Sequence, residues 1–193
     1  ILLCTRSRND YKMKYLLYII CIYFLIIYST IYSENIKIPL SKFYKATPFI
    51  AANELFKSSS VWLGGDGATS LDLGNNRVLW LFGDSFIATS MNKTRFDSII
   101  IRNSIAIQYG YNPAEALIEF HWNQYNNIPK AFFKNSDHYW YWPASGIKLK
   151  DLVVIFLMKI KRTTKGFGFI SDGWKAVCIT NPDVDPLQWN IKP

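Results

Sequence analysis

The stretch VWLGGDGATSLDLGNNRVLWLFGDSF, residues 61–86, predicts a β-hairpin that brings two aspartates opposite each other. A Gly-Asn-Asn turn signal with Asn75 at its middle separates two runs rich in β-forming residues. Asp66 and Asp84 stand nine residues to either side of Asn75, so a turn centred there pairs them across the hairpin.

This pairing has no structural advantage, because like charges directly opposite on a ladder are destabilising, by a few tenths to about 1 kcal/mol. Opposed Cβ atoms lie roughly 4.5–5.5 Å apart, which suits two carboxylates that divide acid and base roles. Asp66 and Asp84 are therefore the candidate catalytic residues. Two alternatives stay open: Gly-Asp-Gly and Gly-Asp-Ser are also common turn chemistry, and a bulge of one residue would turn one side chain to the other face.

Composition indicates a folded domain with one ordinary core, since 50% of the 193 residues are hydrophobic and 19% are charged. The formal charge of +8 and the 17% aromatic content are compatible with nucleic-acid binding. However, the basic residues are scattered, and their one cluster, Lys159–Lys165, falls where two strands should turn. We expect a solvated hairpin tip there and no nucleic-acid partner.

The N-terminal region has the pattern of a leader. Residues 13–33 consist of Met-Lys and nineteen uncharged residues that end in small polar side chains. They predict a signal peptide cleaved after Ser33 and a secreted, extracellular protein. The alternative is an uncleaved membrane anchor, because this run nearly spans a bilayer. Residues 1–12 are interpreted as translation upstream of the true start.

The rest of the chain divides into a lead-in segment, residues 34–60, with a short helical turn near 51–56, and a β domain, residues 61–193. Hairpin-sized connections predict antiparallel meanders, as in a sandwich or a propeller. The candidate strands, each bounded by Gly, Asn, Asp or Pro, are 68–73, 77–83, 99–109, 116–122, 140–142, 152–160, 166–171 and 174–180.

Two groups of four strands favour the propeller, one from the first hairpin to residue 122 and one over 140–180. A propeller needs roughly 4–8 blades to close, so two blades predict the N-terminal part of a longer protein. We expect this chain to be inactive by itself, and a closed sandwich is the alternative.

Four polar and aromatic residues are candidates for substrate binding. Arg102 and Asn103 interrupt an apolar strand, where polar groups are costly to bury unless they are paired. They fit either contacts with a sugar or a structural salt bridge. Trp140 and Trp142 offer aromatic faces that suit sugar rings, although strand aromatics also pack between sheets.

Other chemistries have little support. His121 and His138 have no Cys or His partner at metal-ligand spacing, and no Gly-x-Ser-x-Gly or phosphate-binding loop is present, so we predict no metal and no cofactor. Cys178, alone in the mature domain, is expected to be a buried small hydrophobe. Asn92 begins a glycosylation sequon and is a predicted glycosylation site.

A family resemblance extends over residues 61–193. WLGGDGATSLDL, RVLWLFGDSFI, Arg-Asn-Ser at 102–104, PKAFF at 129–133, WYWPASG at 140–146 and a closing NPD with PLQW follow one another in this order. The pattern resembles the five-bladed propeller proteins known as domains of unknown function 4185 and 5005. Some members of the first group are endo-acting glycoside hydrolases that cut D-arabinan.

The resemblance implies an all-β fold, a partial five-bladed β-propeller of about two blades behind a signal peptide or anchor. It also implies that two early-blade aspartates, matching Asp66 and Asp84, carry the chemistry. Two departures limit this: residues 142–146 offer no carboxylate, and the later blades are absent. We expect an exported glycoside hydrolase-like domain acting on a polysaccharide, or alternatively a non-catalytic carbohydrate-binding or adhesive propeller.

Overall fold

A computed structural model describes residues 18–28, 47–91 and 93–193 of the chain. The chain forms two compact units, Ile1–Pro48 and Phe49–Pro193. Within the first, residues 18–28 are helical (α1). Among the residues described, no helix has the length and apolar character that crossing a membrane requires. The rest of the predicted leader, residues 34–46 and Asn92 lie outside the described residues.

The second unit is built almost entirely from antiparallel strands. Its helix α2, Ile50–Phe56, confirms the predicted helical turn, and short 3₁₀ turns occupy Arg95–Asp97 and Pro186–Gln188. The strands are β1 Trp62–Gly65, β2 Thr69–Gly74, β3 Arg77–Phe82, β4 Ser85–Ala88, β5 Ser98–Ile101, β6 Ser104–Tyr109, β7 Leu117–His121, β8 Asn123–Tyr125, β9 Ile128–Lys130, β10 Tyr139–Leu149, β11 Leu152–Arg162, β12 Phe169–Ile179 and β13 Ile191–Lys192. They form four sheets, with strand orders β2-β3-β6-β7, β10-β11-β12-β13, β1-β4-β5 and β8-β9.

The β2-β3-β6-β7 sheet matches the first predicted group of four strands, except that its third strand, β6, begins only at Ser104. Asn75 and Asn76 form the turn with φ of 51° and 60°, the left-handed backbone of a two-residue hairpin loop. Gly74 pairs with Arg77, and the register shifts by one residue between Asp72 and Gly74. Beyond this shift the pairing is centred on Asn75, so that Thr69 pairs with Leu81. The local turn chemistry therefore fixes the register as expected.

The β10-β11-β12-β13 sheet has four strands, but not the predicted ones. The short strand 140–142 is wrong, because β10 continues through Pro143 by a bulge between Pro143 and Ser145. The two strands 166–171 and 174–180 are one continuous strand, β12, in which Gly173 takes a positive φ of 100°. The fourth member is β13 rather than a strand within residues 140–180.

The predicted strand 99–109 is also wrong, because it is divided between two sheets. β5 pairs with β4, β6 pairs with β3, and Arg102 and Asn103 lie between them. The physical reason is that the Asn103 side chain hydrogen-bonds the main chain of Phe133 and Tyr141. The chain thus leaves one sheet and joins another at this point.

One hydrophobic core joins the two four-stranded sheets. Leu79 and Ile105 from the first sheet share this cluster with Ile155 and Val177 from the second. The expectation that Cys178 is buried is wrong, because the residue is only half-buried in β12. The basic cluster Lys159–Lys165 does lie at a hairpin tip, where β11 ends and the turn to β12 begins.

His121 makes the stability of this unit depend on pH. Its Nε2 atom is buried without a hydrogen-bond partner in the described part of the chain, and burial lowers the pKa of the imidazole from its usual 6.5. The unfolded chain therefore binds this proton more readily, so stability is full above about pH 6.5 and falls as the pH drops below it. We expect His121→Phe to flatten the decline in the free energy of unfolding between about pH 7 and pH 5.

Denaturant unfolding at several pH values measures this effect. His138→Gln, which replaces an exposed imidazole, serves as the control and should keep the pH dependence of the unaltered protein. If His121→Phe also keeps it, the decline originates from another group.

Candidate active site

Asp66 and Asp84 lie opposite each other where the chain passes between two sheets. Asp66 follows β1 and Asp84 precedes β4. The Asp66 N–H donates to the Asp84 carbonyl at 3.0 Å, and the Gly83 N–H donates to the Asp66 carbonyl at 2.8 Å. Two residues thus oppose one, as in a β-bulge. The backbones of the two aspartates are thus paired, with Gly83 and Asp84 together facing Asp66.

Gly83 brings a third side chain, from β10, to this place. A Cβ at Gly83 would lie 3.6 Å from the Asp66 Cβ and 3.5 Å from Cδ1 of Trp142. The Asp66 side chain and the Trp142 indole therefore lie beside the same face of Gly83. Both distances are ordinary van der Waals contacts, and the indole joins the second large sheet to the aspartate pair.

The Asp84 carboxylate is held at both oxygens. Oδ2 accepts a hydrogen bond from Nη1 of Arg102 at 2.9 Å, and Oδ1 accepts one from Nε1 of Trp142 at 2.9 Å. Both partners are donors without an acceptor site, so the arrangement matches a carboxylate with a fixed orientation. The Asp84 side chain remains 23% exposed, which leaves it accessible from solvent.

Asp66 has a different environment. Its side chain is exposed, and within the described residues its carboxylate has no hydrogen-bonding or ionic partner. One carboxylate is thus oriented by two donors, while the other is exposed and has no partner among the described residues. Unlike environments for two adjacent carboxylates are typical of sites where the two groups have different roles.

Arg102 and the two predicted tryptophans form a cluster behind Asp84. The Arg102 guanidinium lies over the Trp140 ring at 4.6 Å, and Trp140 packs edge-on against Trp142 at 6.1 Å between centroids. Trp140 is only 7% exposed, so its ring supports Arg102 and is not open to a sugar. Trp142 is half-buried and keeps a solvent-facing part.

Asn103 lies next to this cluster but does not face it. The residue is fully buried, and both ends of its amide are bonded to the main chain of Phe133 and Tyr141. The contact with a sugar that the sequence suggested for Asn103 would require these bonds to break. The geometry therefore gives Asn103 a structural role.

Sequence reasoning missed two contributors to the site. Gly83 was visible in the Phe-Gly-Asp motif, but its contact with Trp142 depends on how two sheets pack. Phe169, at the start of β12, packs edge-on against Trp142 at 5.1 Å, and no local signal marks it. In the part of the chain that the structure describes, no group of three or more His, Cys, Asp or Glu side chains is arranged to hold a metal.

Comparison with known proteins identifies the family. Residues 51–191 match the model of the family described as Domain of unknown function (DUF5005), and the chain belongs to this family. Among solved structures it is similar to the crystal structure of a "putative hydrolase" from Bacteroides ovatus ATCC 8483, at 20% identity and a TM-score of 0.57. The match covers 72% of this chain and 40% of that chain. No protein with a curated description shows significant similarity.

The structural match concerns the fold and only part of the neighbour's length. At 20% identity it shows a shared fold. The chain spans less than half the length of that neighbour. The comparisons therefore show the family and the fold.

Proposed function

We propose that this protein is an exported glycoside hydrolase that acts on a polysaccharide through Asp66 and Asp84. The observation that carries the proposal is the backbone pairing of two aspartates whose side chains have unlike environments, one held by Arg102 and Trp142 and one exposed and without a partner among the described residues. The hydrolase-like fold of the Bacteroides ovatus protein supports it. Export rests on residues 13–33, and a mature N-terminus at Glu34, determined by mass spectrometry, would exclude a retained anchor.

The different surroundings of the Asp66 and Asp84 side chains suggest a different catalytic role for each. Asp84, oriented by two donors, attacks the anomeric carbon as nucleophile while Asp66 donates a proton to the departing glycosidic oxygen. In the second step Asp66 accepts a proton from water, and the resulting hydroxide displaces Asp84 from the sugar. Carboxyl groups about 5–5.5 Å apart suit this retaining course, and about 6.5–9.5 Å suits inversion. A ladder pair favours the shorter separation, and the anomeric configuration of the first product tests it.

Arg102 and Trp142 are positioning residues in this proposal. Each donates one hydrogen bond to Asp84, which fixes the carboxylate without covering it. The Trp142 indole is half-buried and lies beside the same face of Gly83 as the Asp66 side chain. It thus offers an aromatic surface against which a sugar ring can pack beside the two carboxylates.

Hydrolysis of polysaccharides by the complete protein tests the proposal. Arabinan and a set of uronate-containing, sulfated and neutral polysaccharides are incubated with the protein, and the release of reducing ends is measured. Proton NMR of the first product then reports the anomeric configuration. We expect release from at least one polymer with net retention. Net inversion would exclude Asp84 as a covalent nucleophile.

A non-catalytic carbohydrate-binding or adhesive role is the second candidate. The observation that favours it is the Arg102–Asp84 ion pair, with both side chains partly buried, since such a pair can serve the fold alone. This role predicts glycan binding that survives Asp66→Asn and Asp84→Asn, and no reducing ends from any polymer. Affinity electrophoresis of the three proteins in polysaccharide gels distinguishes the two functions.

A further inference from the structure

A small cavity lies beside Arg102, the residue that pairs with Asp84. Its volume is about 120 Å³, and its lining includes Arg102 and Trp140, which support Asp84, together with Arg162 at the end of β11. Pockets for whole ligands usually measure roughly 300–1,000 Å³. This cavity therefore suits one substituent of a sugar rather than a sugar chain.

The cavity offers guanidinium N–H groups that are not used elsewhere. Arg102 uses one of its five N–H groups on Asp84. The Arg162 guanidinium has no ionic or hydrogen-bonding partner among the described residues. Asp137 is the one carboxylate in the lining, and since Asp84 already pairs with Arg102, Arg162 is the guanidinium that remains without a partner among the described residues. Guanidinium groups bind carboxylates and sulfates with paired hydrogen bonds.

Three lysines near the cavity do not line it. Lys159 pairs with Asp172 at 2.9 Å, which lowers the pKa of that carboxyl, so its charge is already used. Lys161 and Lys165 lie close in sequence but outside the lining. The chain as a whole carries a formal charge of +8, which favours the approach of a polyanion.

We infer that this cavity is a subsite for an anionic substituent of the glycan, a uronic acid carboxylate or a sulfate ester. The inference rests on the proposed function and narrows it to an acidic polysaccharide. Because Arg102 contacts Asp84 and also lines the cavity, an anion bound there places its sugar next to the aspartate pair. Arg162 then acts as a specificity determinant.

Binding measurements with Arg162→Gln test this inference. The probes are polygalacturonate for carboxylates, dextran sulfate for sulfates and unmodified dextran as the neutral polymer. Lys165→Gln is the matched control, because it removes the same charge from the same hairpin tip without altering the cavity lining. We expect the unaltered protein to prefer an acidic polymer, Arg162→Gln to weaken that binding at least about tenfold, and Lys165→Gln to change it less than about twofold. The difference between the two acidic probes identifies the substituent.

Each outcome decides the inference separately from the hydrolase proposal. Equal losses in Arg162→Gln and Lys165→Gln would show diffuse charge attraction and overturn the subsite, as would a failure to prefer either acidic polymer. Arg162-dependent binding of an acidic polymer without release of reducing ends would support the subsite and contradict hydrolysis. Cleavage of a neutral polysaccharide together with no preference for either acidic polymer would overturn the subsite and leave hydrolysis in place. Melting curves confirm that both variants fold.

Discussion

Asp66→Asn and Asp84→Asn are each expected to lower polysaccharide hydrolysis at least about 100-fold, because a positioned acid or base contributes roughly 10²–10⁴ to the rate. Both variants keep the shape of the side chain and should still bind substrate. Asp84→Asn retains one oxygen as acceptor for Arg102 or Trp142, so the site should stay assembled. Initial rates with the polymer that the unaltered protein cleaves best give the measurement.

The two variants should respond differently to the leaving group. Asp66→Asn lacks the proton donor, so an aryl glycoside with an acidic phenol, which departs without protonation, should recover much of the rate. Asp84→Asn lacks the nucleophile and should recover little. Asp151→Asn, in the exposed turn between β10 and β11, is the matched control and should retain full activity. Activity within about twofold of the unaltered protein in either site variant would remove that aspartate from the mechanism.

Asn103→Ala is expected to cost the β domain a large part of its stability. The Asn103 Nδ2 donates to the carbonyls of Phe133 at 3.1 Å and Tyr141 at 2.9 Å, and its Oδ1 accepts from the Phe133 N–H at 2.7 Å. The alanine leaves these three main-chain groups without their partners in a fully buried site. At about 1–3 kcal/mol for each unsatisfied group, the loss exceeds about 3 kcal/mol. Native domains have only about 5–15 kcal/mol of stability in total.

Chemical denaturation of the purified variant measures this loss. Asn112→Ala is the control, because the Asn112 side chain is exposed and accepts one local hydrogen bond from Ala114. It should change the free energy of unfolding by less than about 0.5 kcal/mol. A loss below about 1 kcal/mol in Asn103→Ala would mean that water replaces the missing amide.

Local features of the sequence determined the hairpin, the helical turn and the opposition of the two aspartates. Asparagine tolerates the left-handed backbone of the turn, and alternating apolar residues fix which face is buried, so residues 69–81 pair as their own sequence dictates. The same register continues to Gly65 and Ser85, which flank Asp66 and Asp84. The catalytic role and the glycan remain predictions, because a residue type and its register do not specify a reaction.

The tertiary structure alone decided what surrounds those aspartates. Trp142 reaches Asp84 from 58 residues away, and this contact depends on how β10 continues through Pro143 by a bulge. The same packing buries Asn103 and brings Arg162 to the wall of the cavity beside Arg102. Such contacts join segments distant in the chain, and their geometry is set by bulges and sheet packing that shift side chains by whole residues. Short-range patterns in the sequence do not predict those shifts.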